Sequence, residues 1–385
     1  MSILSALTLS RRPATGFVIV GIFWGGFAAH VPVLKAQLGA SDALFGLLLL
    51  GTAAGLVSSM WLAPRLDRTL GARGMQVAAL ALALAWLFPG HMSVQVLFFV
   101  SLIFVGGASG LLDVTMNARV SDLEAQTGRS LMNANHAIFS VAYAVAALIS
   151  GVTREAGIPP GWVFTGFSVV TILLLPVLRM APAAVEPEVG YAGAYPLWPI
   201  LLSGLVVLVA FMSEATVEAW SALHVERTLG GGAVQGALGP TMLGITMAVG
   251  RFSGQVVAER LREVPVIVGA SLLSACGVIL AAVAPVPALA YIGFGIFGLG
   301  VSVVAPMGLA LVGKLVAPHL RTEAISRAAV MGFSGFFFAP VFMGLVSELF
   351  GLRAAFGGVA LLALCAVPLA LALGRYPLRT AQIRP

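Results

Sequence analysis

Residues 287–313 read PALAYIGFGIFGLGVSVVAPMGLALVG, a continuous apolar stretch without a single charged side chain. As an α-helix, a stretch of this length would reach about 40 Å, which exceeds the roughly 30 Å hydrocarbon core of a membrane. Similar stretches recur from end to end of the 385 residues, of which 59% are hydrophobic and only 9% are Asp, Glu, Lys or Arg. The sequence therefore predicts an all-α polytopic membrane protein.

Twelve apolar segments of this kind use nearly the whole chain, so we expect no sizeable soluble domain. Helices are favoured over barrel strands because each segment is apolar throughout, whereas a barrel strand alternates between polar and apolar residues over roughly 10 positions. The segments lie near residues 14–36, 43–64, 74–91, 94–118, 131–153, 161–180, 197–222, 238–258, 264–284, 287–313, 324–347 and 352–374.

Positive charges are distributed unevenly between the two sides that these segments define. With an even number of spans, both termini share one side, and that side holds seventeen Lys and Arg residues against four on the other. This bias follows the positive-inside rule and predicts that both termini are cytoplasmic. The net charge of +6 is then a consequence of topology, and no basic patch interleaved with aromatic residues indicates nucleic-acid binding.

The chain is predicted to consist of two related halves. Residues 181–196 are the most polar and proline-rich break, which suggests a cytoplasmic linker between an N-terminal bundle, 1–180, and a C-terminal bundle, 197–385. An offset of about 191 residues places Leu38-Gly39 on Leu229-Gly230. Six-plus-six repeats of this kind rock about a site at their interface near the bilayer midplane.

Over essentially its whole length, the chain resembles the major facilitator superfamily. The loop after the second segment, residues 63–73, reads APRLDRTLGAR and is similar to that superfamily's signature Gly-x-x-x-Asp-Arg-x-Gly-Arg-Arg. It departs from the signature in having Ala63 for the first glycine and one extra residue before Gly71. The resemblance implies twelve transmembrane helices in two six-helix bundles, which open alternately to the two sides.

Three further stretches are similar to a poorly characterised branch of bacterial inner-membrane permeases. They are LLDVTMNA at 111–118, NHAIFS at 135–140 and EATVEAWSA at 214–222. The branch is distantly similar to fucose-permease-type sugar:proton symporters, in which membrane-embedded carboxylates carry the proton. Asp113 matches their fourth-helix carboxylate by position, whereas the first segment has no Asp or Glu to match their first-helix carboxylate. The resemblance therefore implies an inner-membrane location and leaves the substrate open.

Charged residues at the cytoplasmic ends of the second and eighth segments are candidates for a gate between the halves. A carboxylate that meets an arginine and a helix N-terminus in a short turn can hold two bundles closed. The alternative is a simple positive-inside anchor. The candidate gate residues are Asp67, Arg68, Arg73, Glu259 and Arg260.

Ionisable residues inside the membrane are functional candidates because burying their charge is costly. Asp113 and Asn117 share a face of the fourth segment, and His136 lies at a similar depth on the fifth. An Asp113–His136 pair would carry a proton between neighbouring helices, or would serve only as a structural hydrogen bond.

A second group of ionisable residues is expected in the outer half. Glu214 and Glu218 are four residues apart and share a helix face, with His30 of the first segment at comparable depth. Two carboxylates together do not readily both ionise in a low dielectric, so this group suggests a proton or Na⁺ site. The alternative is an outer gate that only forms hydrogen bonds.

The candidate substrate-binding residues are Trp24, Asn117, Asn135, Tyr143 and Trp220. The two tryptophans would stack on a substrate, or would pack as interfacial aromatic residues. Arg251 is expected to extend to the inner membrane face, with anion binding as the alternative.

The function that we expect is secondary active transport of a small polar solute, with proton-coupled symport. The alternatives are a proton-coupled exporter of metabolites or amphiphilic compounds and a non-transporting membrane sensor. No nucleotide-binding loop, metalloprotease motif or nucleophile elbow is present, so we expect neither an enzyme nor a cofactor. The expected partners are the solute, H⁺ and the lipid bilayer, and we expect a monomer.

The twelve-span topology can be tested by labelling single cysteines in a cysteine-free background. In intact cells, cysteines at Ala72 and Ala125 should be shielded from an impermeant thiol reagent, whereas cysteines at Ala40 and Gly231 should react. Reaction at Ala72 from outside would contradict the topology.

Overall fold

Residues 3–182 and 196–377 are described by the computed structural model, and their regular structure is entirely helical. A short helix, Ile3–Leu9, precedes the membrane helices. These are α1 Arg11–Gln37, α2 Asp42–Leu70, α3 Gly74–Ala85, α4 Gln95–Thr127, α5 Met132–Glu155, α6 Pro160–Leu174, α7 Leu197–Leu223, α8 Ala233–Arg260, α9 Glu263–Val283 and α10 Pro287–Leu315. The helix α11 consists of Arg321–Phe333 and the first part, 335–350, of the stretch Gly335–Leu373, whose second part, 352–373, is α12.

Two of the apolar helical stretches each contain two membrane crossings. Asp42–His91 and Glu323–Leu373 are 50 and 51 residues long, about twice what one crossing needs. Each is interrupted by a glycine with a positive φ, +54° at Gly71 and +82° at Gly351, a backbone conformation that favours glycine. The ten membrane-spanning stretches of the described ranges therefore contain twelve crossings, and the predicted fold class is confirmed.

Contacts on the two sides of Gly351 show that the chain reverses there. Before it, the Glu348 carboxylate accepts hydrogen bonds from the N-terminus of α2. This lies at the end of the bundles that the predicted topology places outside, and we call it the outer end. After it, α12 returns to the opposite end, which we call the inner end, where a Cβ atom on Gly374 would lie 3.5 Å from the side chain of Val264 at the beginning of α9.

The helices form two six-helix bundles that meet along one interface. In the first, α1 packs on α5 and α2 on α4, and in the second α7 packs on α11 and α9 on α10 and α12. Between the bundles, α2 packs on α11, α5 on α8 and α1 on α7. Since α8 and α11 occupy the places of α2 and α5 in the second half, the first two contacts are equivalent. The predicted linker falls almost wholly on residues 183–195, outside the described residues.

Glycines allow the helices of the first bundle to approach closely. A Cβ atom on Gly106 of α4 would collide with the backbone of Thr52 in α2, and one on Gly25 of α1 would collide with the backbone of Tyr143 in α5. Without a hydrophobic driving force between helices in lipid, such close contact is a main source of attraction.

Replacing Gly106 by Ala should destabilise the protein, because overpacking costs about 1–3 kcal/mol. Gly269→Ala is the matched control: it lies in a helix too, and nothing lies within 4 Å of the Cβ that it would add. We expect a lower apparent melting temperature in detergent for Gly106→Ala only. Equal melting temperatures for the two variants would argue against close packing at Gly106.

Candidate functional site

A polar cluster lies between the two bundles, where α5, α7 and α8 meet. The Arg251 guanidinium of α8 forms an ion pair with Oε1 of Glu214 on α7, at 2.9 Å. It also donates to the Ser140 hydroxyl and, at 3.3 Å, to the His136 carbonyl oxygen, both on α5. The same guanidinium lies 5.9 Å from the centre of the Phe139 ring. One cation therefore joins two helices of the second bundle to one of the first.

The position of Arg251 differs from the expectation that it extends to the inner membrane face. Its side chain is only 12% exposed and faces Glu214. A carboxylate within reach compensates the cost of burying the guanidinium, so the long side chain does not need to reach water. The expectation was wrong because the sequence did not indicate that α7 and α8 bring this pair together.

Glu218 and Tyr143 extend the cluster by one turn toward the outer side. Glu218 follows Glu214 on the same face of α7, as the spacing of four predicts. The Tyr143 hydroxyl of α5 lies 3.5 Å from the backbone oxygen of Glu218, and the side chain is 2% exposed. Two carboxylates, one phenol and one guanidinium are thus gathered in a region from which water is largely excluded.

Asp113 and His136 do not form the predicted pair among the described hydrogen bonds. Asp113 accepts from the Asn117 amide, at 3.1 Å to its carboxylate and 2.8 Å to its backbone oxygen. The His136 ring packs edge-on against Phe17, with 4.9 Å between ring centres. The structure therefore joins Asp113 to Asn117 and brings His136 to Arg251 instead.

His30 lies inside the first bundle and not beside Glu214. Its Nδ1 atom is 2.7 Å from the Gly26 backbone oxygen, and its ring packs against Phe164 at 5.2 Å between centres. The residue is fully buried. The grouping of His30 with the two carboxylates of α7 is not seen in these contacts.

Trp24, Trp220 and Asn135 make packing and hydrogen-bonding contacts of their own. Trp24 donates through Nε1 to the Ser109 hydroxyl at 3.1 Å. Trp220 is fully buried and packs edge-on against Phe45. Asn135 is also fully buried, and its amide donates to the Ser10 hydroxyl at 2.9 Å. With no exposed surface, Trp220 and Asn135 do not face a solute in this conformation.

The candidate cytoplasmic gate is an ion pair within one bundle. Both Asp67 oxygens accept from the Arg119 guanidinium of α4, at 2.6 and 3.0 Å. Arg119 is 1% exposed, whereas Arg68 and Arg73 are exposed. The side chains of Glu259 and Arg260 lie outside the described residues. Sequence reasoning did not identify Arg119 as the partner of Asp67.

Ion pairs hold the outer ends of the two bundles together. On one side of the interface, Arg154 of α5 binds both oxygens of Glu226, just after α7, at 2.7 and 2.9 Å. It also donates to the Ala29 backbone oxygen at 2.5 Å. We call the Arg154–Glu226 pair the first outer latch.

The second outer latch is centred on Asp42 at the beginning of α2. Arg227 binds both of its carboxylate oxygens, at 2.7 and 2.5 Å. The Lys35 Nζ atom lies 3.0 Å from Oδ1 of Asp42, and the Ser347 hydroxyl donates to the same carboxylate. In return, the Glu348 carboxylate accepts from the backbone N–H of Asp42 at 2.7 Å, where the helix dipole favours negative charge.

Both latches were missed in the sequence. Lys35, Arg154 and Arg227 count there only as the few positive charges of the outer side. The signal in the sequence was that two carboxylates, Asp42 and Glu226, lie close to these positive charges in the outer loops. Opposite charges are therefore available for pairing where the helices leave the membrane. Glu226 and Arg227 are consecutive residues of one turn. Glu226 is the negatively charged partner in the first latch, and Arg227 is the positively charged partner in the second.

Metal binding finds no support in the geometry. Within the residues that the structure describes, no group of three or more His, Cys, Asp or Glu side chains is placed to hold a metal ion.

Comparisons with known proteins agree with this architecture. The sequence model of the family described as Major Facilitator Superfamily matches residues 202–384. An uncharacterised MFS-type transporter of Yersinia pestis is 30% identical over 368 residues, which cover 92% of this chain and 94% of the relative.

Solved structures resemble the fold over almost the full length. A D-xylose-proton symporter superimposes with a TM-score of 0.77 at 15% identity, covering 97% of this chain and 98% of that one. A bacterial homologue of the human lysosomal transporter Spinster, inward-facing and occupied, gives a TM-score of 0.76 at 15% identity, covering 97% of each chain. At such identities the likeness concerns the fold alone.

The first latch can be tested with Glu226→Gln, which removes the charge opposite Arg154 and keeps the side-chain size. Breaking a buried ion pair by removing one partner costs about 3–5 kcal/mol, and here the guanidinium that is left unpaired, that of Arg154, is only 8% exposed. We expect the outer ends to separate, measured as longer distances between spin labels at Ile158 and Val286. Glu323→Gln, which breaks an exposed ion pair at the inner surface, should leave these distances unchanged. Unchanged distances in Glu226→Gln would show that this pair does not hold the outer end closed.

Proposed function

Because the chain belongs to the major facilitator superfamily, we propose that it is a secondary active transporter that moves a small polar solute by alternating access, coupled to protons. The observation that carries this proposal is the buried Arg251–Glu214 pair. It lies where the two bundles meet, and its guanidinium also binds α5 of the other bundle. A change in its charge state therefore acts directly on the interface that must move.

The Glu214 carboxylate provides a step in which a proton alters the interface. When Glu214 accepts a proton, Arg251 loses its counter-charge in a region of low dielectric, where an unpaired charge costs a few kcal/mol. The guanidinium must then find another partner or move toward water. Either response changes its hydrogen bonds to Ser140 and His136 on α5, and thus the contact between the bundles.

We assign the proposed site as follows. The first candidates for coupling are Glu214, which pairs with Arg251, Glu218, one turn further along α7, and His136, whose backbone oxygen accepts from Arg251. Asp113 is a third carboxylate, deeper toward the cytoplasm. The assignment of Asp113 is based on its position in the fourth helix and on its depth in the membrane. The solute would lie between the bundles near Trp24, Asn117 and Tyr143.

The closed outer latches support the proposal that this conformation is open toward the cytoplasm. Arg154–Glu226 and Arg227–Asp42 join the bundles on both sides of the outer interface. For a solute to enter from outside, both pairs must break, and the Asp67–Arg119 region would participate in closing the inner end. In this proposal the protein is a monomer in the bacterial inner membrane, with cytoplasmic termini and bundles at 1–180 and 197–385.

The experiment that tests the function begins with a thermal-shift screen of the purified protein against sugars, organic acids and amines, since a ligand stabilises the state that it binds. The stabilising solute is then used in proteoliposomes. We expect a pH gradient to drive its accumulation, and no accumulation under any imposed gradient would contradict the proposal.

The coupling residue can be identified by comparing Glu214→Gln with Asp113→Asn. The variant that removes the coupling carboxylate should lose gradient-driven accumulation, by about tenfold or more, while exchange of solute across the membrane continues. Glu323→Gln, at the inner surface, is the control and should accumulate solute normally. If both variants accumulate solute like the unmodified protein, neither carboxylate is the coupling site.

A further inference from the structure

A cavity of about 640 Å³ lies at the outer end of the interface between the bundles. It is separate from the polar cluster around Arg251, and the second outer latch forms part of its wall. Its charged lining consists of three cations and two carboxylates: Lys35, Arg227, Arg353, Asp42 and Glu348.

Both carboxylates of this cavity are already engaged. The Asp42 oxygens accept from Arg227, Lys35 and Ser347. Glu348 uses Oε2 to accept the backbone N–H groups of Asp42 and Ala43, at 2.7 and 3.3 Å. A cation that entered the cavity would have to compete with these bonds at Asp42 and at Oε2 of Glu348.

The cations, in contrast, retain positive charge and hydrogen-bond donors. Lys35 and Arg227 share the single charge of Asp42. Arg353 donates to the backbone oxygens of Ala282 and Ala284, at 2.9 and 2.8 Å, and these neutral acceptors use two of its five N–H donors. The Arg227 side chain is 41% exposed. The charged lining of the cavity therefore has one more cation than carboxylate, and Arg353 has N–H groups beyond the two that these backbone oxygens accept.

We propose that this cavity is a binding site for a small carboxylate-bearing solute from the outer side, which takes Arg227 from Asp42 and so loosens the second outer latch. A guanidinium binds a free carboxylate in the same two-bonded geometry that it uses for Asp42. Arg353 adds a second guanidinium to the lining of the cavity, and it belongs to neither latch. Arg227 would thus exchange its bidentate pair with Asp42 for one with the solute. The ion pair that links α2 to the turn after α7 would then be lost.

The site lies at the outer surface, and binding there does not depend on whether the central cluster carries protons. Binding at this site would also make the second outer latch sensitive to a ligand. An anion would loosen the latch before any solute reaches the membrane interior.

The test uses succinate as the probe and succinamide as its uncharged counterpart of equal size. The purified protein, labelled at Ile158 and Val286 with Cys276 and Cys365 replaced, is placed in nanodiscs of zwitterionic lipid at constant ionic strength. We expect succinate to bind, measured by calorimetry, and to lengthen the distances between the labels, whereas succinamide does neither. Equal effects of the two compounds, or no binding of succinate, would overturn the proposal.

Variants identify the residues of the site. Arg353→Gln should weaken succinate binding about tenfold or more, because a charge-assisted hydrogen bond is lost, and should leave the label distances without succinate unchanged. Arg353→Lys, which keeps the charge, should bind succinate more tightly than Arg353→Gln. Arg321→Gln is the matched control: Arg321 also donates to a helix carbonyl, that of Gly313, but at the inner surface. Unaltered binding in Arg353→Gln would remove Arg353 from the site.

A lipid headgroup is the other possible source of an anion at this depth. If nanodiscs with phosphatidylglycerol lengthen the label distances without succinate and abolish succinate binding, the occupant is a headgroup and the proposal of a free solute is wrong. If succinate binds with similar affinity in both lipids, the free solute is supported.

Discussion

The cost of placing charge in a hydrocarbon layer is the constraint on which the arrangement of this protein depends. A lone arginine or carboxylate at that depth costs several kcal/mol, so an ionised side chain there requires a partner. Arg251 is paired with Glu214 near the middle of the interface, and Arg119 with Asp67 near the inner end. Such pairs are costly to break by removing one member, and each therefore fixes how the helices that carry it pack together.

The helix α7 connects the central cluster to both outer latches. It carries Glu214 and Glu218 in the membrane, and the π-helical turn His224–Thr228 that follows it carries Glu226 and Arg227. A π-helical turn is uncommon and often marks a functional position. Here it directs two consecutive residues to opposite partners, Arg154 and Asp42. Movement of one helix thus changes the contacts of the second bundle with α2 and α5 together.

Equivalence of the two halves explains why the interface has two similar sides. In the repeat, α2 corresponds to α8 and α5 to α11, and the contacts between bundles are α2 with α11 and α5 with α8. The charges do not follow this symmetry. Arg251 lies on the α5–α8 side, whereas the Asp42 latch lies on the α2–α11 side, so the cluster around Arg251 and the outer cavity occupy different places along one interface.

The sequence by itself determined the membrane helices, their number and the grouping of Glu214 with Glu218, because these depend on hydrophobic length and on spacing along one helix. It did not determine which helices face each other. The tertiary structure decided that Arg251 binds Glu214 and α5, where it contacts the His136 backbone oxygen, and that Arg154 and Arg227 join the two bundles at the outer end. These are contacts between residues 37 to 185 positions apart, and a side chain's partner at such separation is set by how helices pack, which hydrophobic patterning alone does not specify.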